Sequence, residues 1–133
     1  MAQIFSKDAQ FNAAAPALVA NAATALLSTN SQTPPHGNCK AVVGAFVVVT
    51  PQAAATAITL TLRRNPAGEN VLLATAAIAC AVVPAGATGF SISATDAIPD
   101  GRDVVYEVVG QQTGAGGNSG ATEAFIEAEL ISG

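Results

Sequence analysis

The chain has 133 residues, half of them hydrophobic, with nine acidic and five basic side chains and a net charge of −4. This length fits one domain that can bury a core without disulfide bonds or metal. The acidic balance argues against nucleic acid as a partner, because phosphate binding needs clustered Lys and Arg. Only 11% of the residues are charged, against about 25% in an ordinary soluble domain. Such a surface is typical of a protein that partners cover, although a neutral polar surface would explain it too.

Residues 1–16 show no stable hydrophobic period, and Phe5 and Phe11 stand isolated among polar residues. We expect an extended N-terminal arm here, which either docks on a neighbouring subunit or stays a loose tail. The first eight residues lack the basic start and apolar centre of a secretory signal. No apolar run approaches the roughly 18 to 20 residues of a membrane span. The sequence therefore predicts a protein made in a cytoplasm, with no membrane partner.

The next part of the chain contains two predicted strands. Residues 17–27 could be helical on alanine content, but Val19 and Thr24 favour a strand. A loop is predicted for residues 28–38, which are rich in Ser, Thr, Asn, Pro and Gly. The run from Val42 to Val49 is apolar on both faces, which indicates a strand that is buried between two layers or covered by a partner.

The clearest strand signal is Ala57 to Arg64, where aliphatic residues alternate with threonine and arginine. This period of two places Ile58, Leu60 and Leu62 on the core side and the polar side chains in water. The Asn-Pro-Ala-Gly sequence that follows predicts a tight reversal, because Pro fixes φ and Gly tolerates positive φ. A second apolar strand begins near Val71 and completes a hairpin.

Three more strands are predicted beyond the hairpin. Apolar residues alternate with Ser and Thr from Phe90 to Thr95, Val104 to Val109 follows a Pro and Asp-Gly turn, and Thr122 to Ile131 ends the chain. In the last strand Phe125 is left outside among three glutamates. The glycine-rich residues 110–120 are predicted to form a flexible hairpin tip.

Seven or eight short strands, separated by Pro, Gly and Asn, define the expected fold class. They predict an all-β protein, a two-sheet antiparallel β-sandwich. We expect one sandwich domain over residues 17–133, preceded by the arm of residues 1–16.

No motif of comparable clarity points to a chemistry. His36 and Cys39 have the spacing of metal ligands, but a zinc site that also used Cys80 would need a distant carboxylate. With one histidine in the chain, a Ser-His-Asp triad would depend on His36 in a Pro-flanked loop. Both cysteines lie at or within apolar runs, where a buried thiol is the usual state, so a bridge between them is the less expected outcome.

Three aspartates, Asp96, Asp100 and Asp103, surround one predicted turn. Oxygen-rich loops can hold calcium, but aspartates that bond their own backbone explain the same pattern. We therefore predict no catalytic site, no metal and no cofactor, and a protein that is not an enzyme.

Four segments of the sequence follow one another in a characteristic order. They are the run Ile58 to Asn65, the turn Pro84 to Thr88, the strand Val104 to Val108 and the ending Ala124 to Leu130. In strand spacing and composition, the sequence resembles the small jelly-roll structural proteins of tailed bacteriophages. Decoration (cement) proteins on the outside of capsids are the most similar type. The resemblance implies an eight-stranded jelly-roll-like sandwich, a homodimer or homotrimer, and binding to the major capsid protein across subunit seams.

The function expected from this resemblance is that of a non-enzymatic virion protein on the capsid surface, synthesised in the host cytoplasm. We expect partner contacts from the N-terminal arm, the two polar loops, the acidic last strand and its arginine counterparts. The candidate side chains are Phe5, Phe11, His36, Arg63, Arg64 and Phe125. The alternative is a receptor- or glycan-binding module of a tail fibre or adhesin, in which Tyr106 or Phe125 would stack on a sugar.

Overall fold

The computed structural model describes residues 4–13, 15–19, 21–35, 39–50, 57–79, 88–98, 102–114 and 120–132. These residues contain eight β-strands. The strands are β1 (Ile4–Asn12), β2 (Thr24–Ser28), β3 (Cys39–Thr50), β4 (Ala57–Arg64), β5 (Val71–Ala79), β6 (Thr88–Ile98), β7 (Tyr106–Thr113) and β8 (Gly120–Ser132). Among the same residues we find no helix of the length and apolarity needed to cross a membrane.

The eight strands form two antiparallel sheets of four strands each. The first sheet has the order β1-β8-β3-β6, and the second sheet has the order β2-β7-β4-β5. The chain passes repeatedly from one sheet to the other, so that early and late strands interleave in both. This is the strand order of an eight-stranded jelly roll. The predicted two-sheet antiparallel β-sandwich is confirmed.

The core lies between the two sheets and is made of aliphatic side chains from alternate strand positions. In β4, the residues predicted to face inward, Ile58, Leu60 and Leu62, are completely buried. Val43 and Val47 of β3 are completely buried as well and come from the first sheet. A period of two in both sheets therefore produces one apolar layer between them.

Residues 4–12 form an edge strand of the sandwich, which corrects the prediction of a separate N-terminal arm for this segment. β1 pairs with β8 from Ile4 opposite Ile131 to Asn12 opposite Ala124, with one irregularity near its start. The hydrogen bonds of the sheet therefore hold this segment along most of its length. The ring of Phe5 is half buried and packs against the core.

The inward side of β1 is polar, which explains why its hydrophobic period is hidden in the sequence. Asp8 Oδ2 accepts a 2.7 Å hydrogen bond from the backbone N–H of Asn30, which follows β2. Ser6 Oγ lies 3.0 Å from Gln32 Nε2, which donates to it. These bonds close the side of the sandwich where β1 and β2 are the outer strands.

Two further sequence predictions are corrected by the segment that precedes β2. Residues 17–27 are predicted as one strand, but among the described residues of this range the strand begins only at Thr24. The buried side chain of Leu18 instead packs against Gly110, where an added Cβ would lie 2.5 Å from Leu18 Cδ2. Gly110 belongs to β7, so the glycine-rich tip predicted for residues 110–120 starts too early.

Candidate functional site

The outer face of the first sheet carries three phenylalanines side by side, which we call the aromatic row. Phe11 of β1 is paired with Phe125 of β8, and Phe125 is paired with Phe46 of β3 on its other side. Directly opposite residues on neighbouring strands have Cβ atoms about 4.5–5.5 Å apart, so their side chains meet. Phe11 is 61% exposed and Phe46 is 46% exposed.

The aromatic row lies on a sheet face that is apolar in its central strand. Val42 of β3 points outward and is 46% exposed. It precedes Phe46 by four residues and lies on the same face of the strand. Single exposed apolar side chains are common, but a contiguous patch marks an interaction surface. Because β3 is hydrogen-bonded on both sides, to β8 and to β6, the patch rests on a strand that is held in place.

A depression of about 470 Å³ adjoins the aromatic row, and Gly44 is one of the residues that line it. Gly44 lies between Glu127 of β8 and Ser93 of β6 in the pairing register. A Cβ built on Gly44 would meet no atom within 4 Å. The phenyl rings of Phe46 and Phe125 line the depression on one side. The site is therefore an apolar hollow with polar groups on its rim.

The rim of this hollow carries carboxylates from β8. Glu127 and Glu129 both line it, and both are half exposed. Glu127 Oε1 lies 3.4 Å from Lys7 Nζ of β1, an exposed ion pair worth at most about 1 kcal/mol. The stripe of glutamates predicted for the last strand thus shares one face with Phe125.

At the far side of the row, the ring of Phe46 lies over Gly89 of β6. A Cβ on Gly89 would come within 2.3 Å of Phe46 Cζ. The missing side chain at Gly89 gives the ring room to extend across β6. Since β6 is the last strand of the first sheet, the ring reaches towards the sheet edge.

A second cluster of functional groups is buried between the sheets at the ends of β4, β6 and β7. Arg64 Nη1 donates a 2.6 Å hydrogen bond to Asp96 Oδ1, and the Tyr106 hydroxyl donates a 2.8 Å bond to Asp96 Oδ2. Arg64, Asp96 and Tyr106 are 7%, 6% and 0% exposed. Arg64 and Tyr106 belong to the second sheet and Asp96 to the first, so the cluster ties the two layers together.

The pKa shifts in this cluster reflect the low exposure and the shared carboxylate. Burial, followed by the hydrogen bond to Asp96, raises the pKa of the Tyr106 phenol far above its ordinary value of 10.0. Burial alone would lower the pKa of Arg64, but the hydrogen bond and the charge of Asp96 raise it overall. The cluster therefore holds a charged guanidinium, a carboxylate and a neutral phenol. Such a hydrogen-bonded group is suited to linking the two sheets.

The surface end of this cluster is formed by the turn after β4. Glu69 accepts a 2.9 Å hydrogen bond from Asn65 Nδ2 and forms ion pairs with Arg102 at 2.9 Å and Arg64 at 3.6 Å. Asn65 adopts a positive φ of 48° and accepts a 2.8 Å bond from the backbone N–H of Val105. The predicted tight reversal is thus fixed to the strand that follows Val105.

The structure separates the six candidate contact residues. Phe11 and Phe125 come together in the aromatic row, whereas Phe5 is half buried against the core on the same strand as Phe11. Arg63 is half exposed and donates a 3.3 Å hydrogen bond to Asn70 in the turn after β4. Arg64 is buried in the inter-sheet cluster, so its guanidinium is not part of the contact surface.

His36, the sixth candidate, lies outside the described residues, as do Asp100 and Cys80. Cys39 is buried in β3. Within the residues that the structure describes, no group of three or more His, Cys, Asp or Glu side chains could hold a metal ion.

The surroundings of two side chains contradict the alternative roles that the sequence allows for them. Tyr106 cannot stack on a sugar, because it is completely buried. Asp96 is not placed as a calcium ligand, because its two oxygens accept bonds from Arg64 and Tyr106. Asp103 Oδ1, on the far side of the turn, accepts a 2.6 Å bond from Thr33 Oγ1.

Sequence reasoning missed two central residues of the site, Phe46 and Gly44. The signal was present in β3, whose run is apolar on both faces and was predicted to lie between layers or against a partner. The sandwich covers one face of this strand. On the other face, Val42 and Phe46 point outward and remain exposed.

No protein-family model matches the chain, and no curated protein matches it in sequence. Among solved structures it is similar to dimeric latent PorU from Porphyromonas gingivalis (7% identity, covering 95% of this chain and 13% of that chain, TM-score 0.57). It is also similar to FLHE (7% identity, 99% and 98% covered, TM-score 0.51). A third is the VP2 subviral particle of infectious bursal disease virus (10% identity, 96% and 37% covered, TM-score 0.51). The likeness at these identities concerns the fold, and the chain spans only part of PorU and of VP2.

Proposed function

We propose that this chain is a non-enzymatic structural protein of a virion, which binds the outside of a bacteriophage capsid and stabilises contacts between capsid subunits. The observation that supports this function is the aromatic row of Phe11, Phe125 and Phe46 beside the hollow at Gly44. Such a surface serves contact with another macromolecule, because a contiguous apolar patch on a soluble domain gains free energy when it is covered.

The rigidity of the sheet favours this use. All three rings project from strands of one sheet, and two of these strands, β3 and β8, are paired on both sides. A preformed surface loses little conformational entropy on binding, so more of its apolar contact remains as affinity. At about 25 cal/mol per Å² of buried apolar area, even a modest contact repeated over a shell resists internal pressure.

The proposed partners are the major capsid protein and further copies of this chain, and the proposed location is the capsid surface. The resemblance to decoration proteins supports the virion assignment, and the jelly-roll strand order agrees with the fold that this resemblance implied. The net charge of −4 supports a protein partner over nucleic acid.

The experiment is co-sedimentation with empty capsids assembled from the major capsid protein of the same genome. Gly44→Arg fills the hollow with a charged side chain at a position where an added Cβ meets no atom. Thr59→Arg is the matched control, because Thr59 is half exposed on the outer face of β4 in the second sheet. Circular dichroism and thermal unfolding verify that both variants keep the fold.

We expect wild type and Thr59→Arg to sediment with capsids, and Gly44→Arg to stay in the supernatant. If Gly44→Arg still binds capsids, the outer face of the first sheet is not part of the interface. Failure of the wild-type chain to bind capsids would contradict the function itself.

A glycan-binding module remains the second candidate, and the composition of the hollow is the observation in its favour. Phenyl rings, the hydroxyls of Ser91 and Ser93 and the carboxylate of Glu127 line one depression. Aromatic faces with nearby polar groups are suited to sugars. Binding of the wild-type chain to host cell envelopes, lost in Gly44→Arg and absent on capsids, would favour this candidate.

A further inference from the structure

The four outer strands of the two sheets differ in how well their free edges are protected. β1 and β2 form one side of the sandwich, where Asp8 accepts the bond from Asn30. β1 also carries the charge of Lys7, and β2 has only five residues. Both strands have an irregular register with their neighbours. Charge, shortness and irregularity are the usual protections of an edge against pairing.

The other side of the sandwich is formed by β5 and β6, and they are unequal. The register of β5 against β4 shifts near Leu62 and Arg63. β6 pairs with β3 from Thr88 to Ile98 without a shift, and within the described residues it pairs with β3 alone. An antiparallel edge of this length leaves a row of N–H and C=O groups directed away from its sheet.

The side chains of β6 offer no charge that would repel another strand. Its one charged residue, Asp96, points inward and is neutralised by Arg64 at 2.6 Å. The outward side chains near its centre are Ser91, Ser93 and Thr95, and all three are exposed. Small hydroxyl side chains of this kind hydrogen-bond to one another across paired strands.

The ring of Phe46 gives this edge an apolar component. Because the ring lies over Gly89, it extends from β3 across β6 and remains 46% exposed. A strand added along β6 would cover the outer part of this ring and also pair with the backbone groups of β6 that are directed away from β3.

We propose that β6 pairs antiparallel with β6 of a second copy of this chain, around a two-fold axis at Ser93. This register gives the longest ladder, with Thr88 opposite Ile98 of the partner, and it places Ser91 opposite Thr95. Self-pairing suits this edge because uncharged side chains meet uncharged ones and no like charges face each other. The two first sheets then form one continuous eight-stranded sheet with two aromatic rows on the same face.

The dimer does not depend on the proposed capsid function, because it forms through the backbone edge of β6 and needs no capsid protein. Ser91 and Ser93 lie at both surfaces, since they also line the hollow, whereas Gly44 lies on β3, inside the sheet. A stable dimer usually buries about 800 Å² on each partner, and a single strand pair with its flanking side chains reaches less. We therefore expect a weak, reversible dimer whose fraction rises with protein concentration.

The test is sedimentation equilibrium of the full chain over a concentration series. Ser93→Lys and Ser93→Glu each place two like charges at the axis, so each variant alone should be monomeric. An equimolar mixture of the two variants should restore the dimer, because lysine then faces glutamate. Thr75→Lys is the matched control: Thr75 is exposed on β5, the neighbouring outer strand, and its change should leave the dimer intact.

Several results would overturn this inference. A wild-type chain that stays monomeric at every concentration excludes the dimer, and a trimer excludes the two-fold axis. A dimer that survives Ser93→Lys but is lost in Thr75→Lys places the contact on β5. A dimer that is lost in Gly44→Arg and kept in Ser93→Lys places the contact on the outer sheet face. Circular dichroism of each variant separates lost pairing from lost folding.

Discussion

The Tyr106 hydroxyl of β7 donates a 2.8 Å hydrogen bond to Asp96 Oδ2 of β6, which belongs to the opposite sheet. Asp96 also accepts the 2.6 Å bond from Arg64, so one carboxylate connects two side chains across the sandwich. The apolar layer between the sheets is non-directional, whereas this connection fixes their relative position at one end. The cluster is therefore expected to contribute to stability and not to partner binding.

Asp96→Ala should destabilise the fold strongly, because it leaves the Arg64 guanidinium buried without its carboxylate. Breaking one partner of a buried ion pair typically costs about 3–5 kcal/mol. Tyr106→Phe, which removes one hydrogen bond, should cost about 1–3 kcal/mol. Urea unfolding followed by circular dichroism measures both, with Asp103→Ala at an exposed aspartate as control. Equal effects of Asp96→Ala and Asp103→Ala would show that the cluster is not a structural tie.

Replacing Gly44 and Gly110 by alanine should change the stability of the fold in opposite directions. Gly44→Ala adds a Cβ into open space, and it should stabilise the strand by about 0.4–1 kcal/mol, because alanine has less freedom than glycine in the unfolded chain. In Gly110→Ala the Cβ would lie 2.5 Å from Leu18 Cδ2 and 3.1 Å from Leu26 Cδ1. Both leucines are buried and cannot turn into solvent, so overpacking should cost about 1–3 kcal/mol. Thermal unfolding of the two variants side by side is the measurement, and a destabilised Gly44→Ala would contradict an open hollow.

The strand pattern made most of the fold predictable from the sequence. Ile58, Leu60 and Leu62 alternate with polar residues. In a half-buried strand, a period of two places the apolar residues on the core side and the polar residues in water. The position of Phe125 on the outer face follows from the same reasoning. Both predictions use information inside a single strand, which a sequence displays directly.

The errors arose where the environment comes from another part of the chain. The sequence of β1 shows no hydrophobic period, because its inward residues are polar. These residues bond to the segment after β2, as Asp8 does to Asn30. Arg64 reads as a surface residue next to Arg63, but Asp96, 32 positions later, supplies a buried counter-charge. The aromatic row needs the register of three strands, so Phe46 gains its significance only beside Phe125.

Removal of residues 1–12 should destabilise the whole molecule, because β1 covers one edge of β8 and Phe5 packs against the core. A loose arm could be removed without effect on thermal unfolding. The truncated chain should instead unfold at lower temperature and aggregate through the uncovered edge of β8. Lys7→Gln is the control on the same strand, since its exposed pair with Glu127 contributes at most about 1 kcal/mol. An unchanged melting temperature after truncation would contradict a structural role for β1.

The carboxylate of Glu69 should make the stability of the β4–β5 turn depend on pH. The hydrogen bond from Asn65, with the nearby charges of Arg102 and Arg64, lowers the pKa of Glu69 below its ordinary value of 4.5. A carboxyl whose pKa is lowered by folding stabilises the folded state above its unfolded pKa, and this contribution is lost as the pH falls through the folded pKa. Glu69→Gln should therefore be less stable than wild type at neutral pH, and the difference should shrink once the pH falls below about 4.5. Urea unfolding of both proteins at a series of pH values measures this difference.

Arg102→Gln, which removes one charge but keeps Asn65, should retain part of the pH dependence. A difference between wild type and Glu69→Gln that stays constant from neutral to acidic pH would contradict the assigned bonds of Glu69.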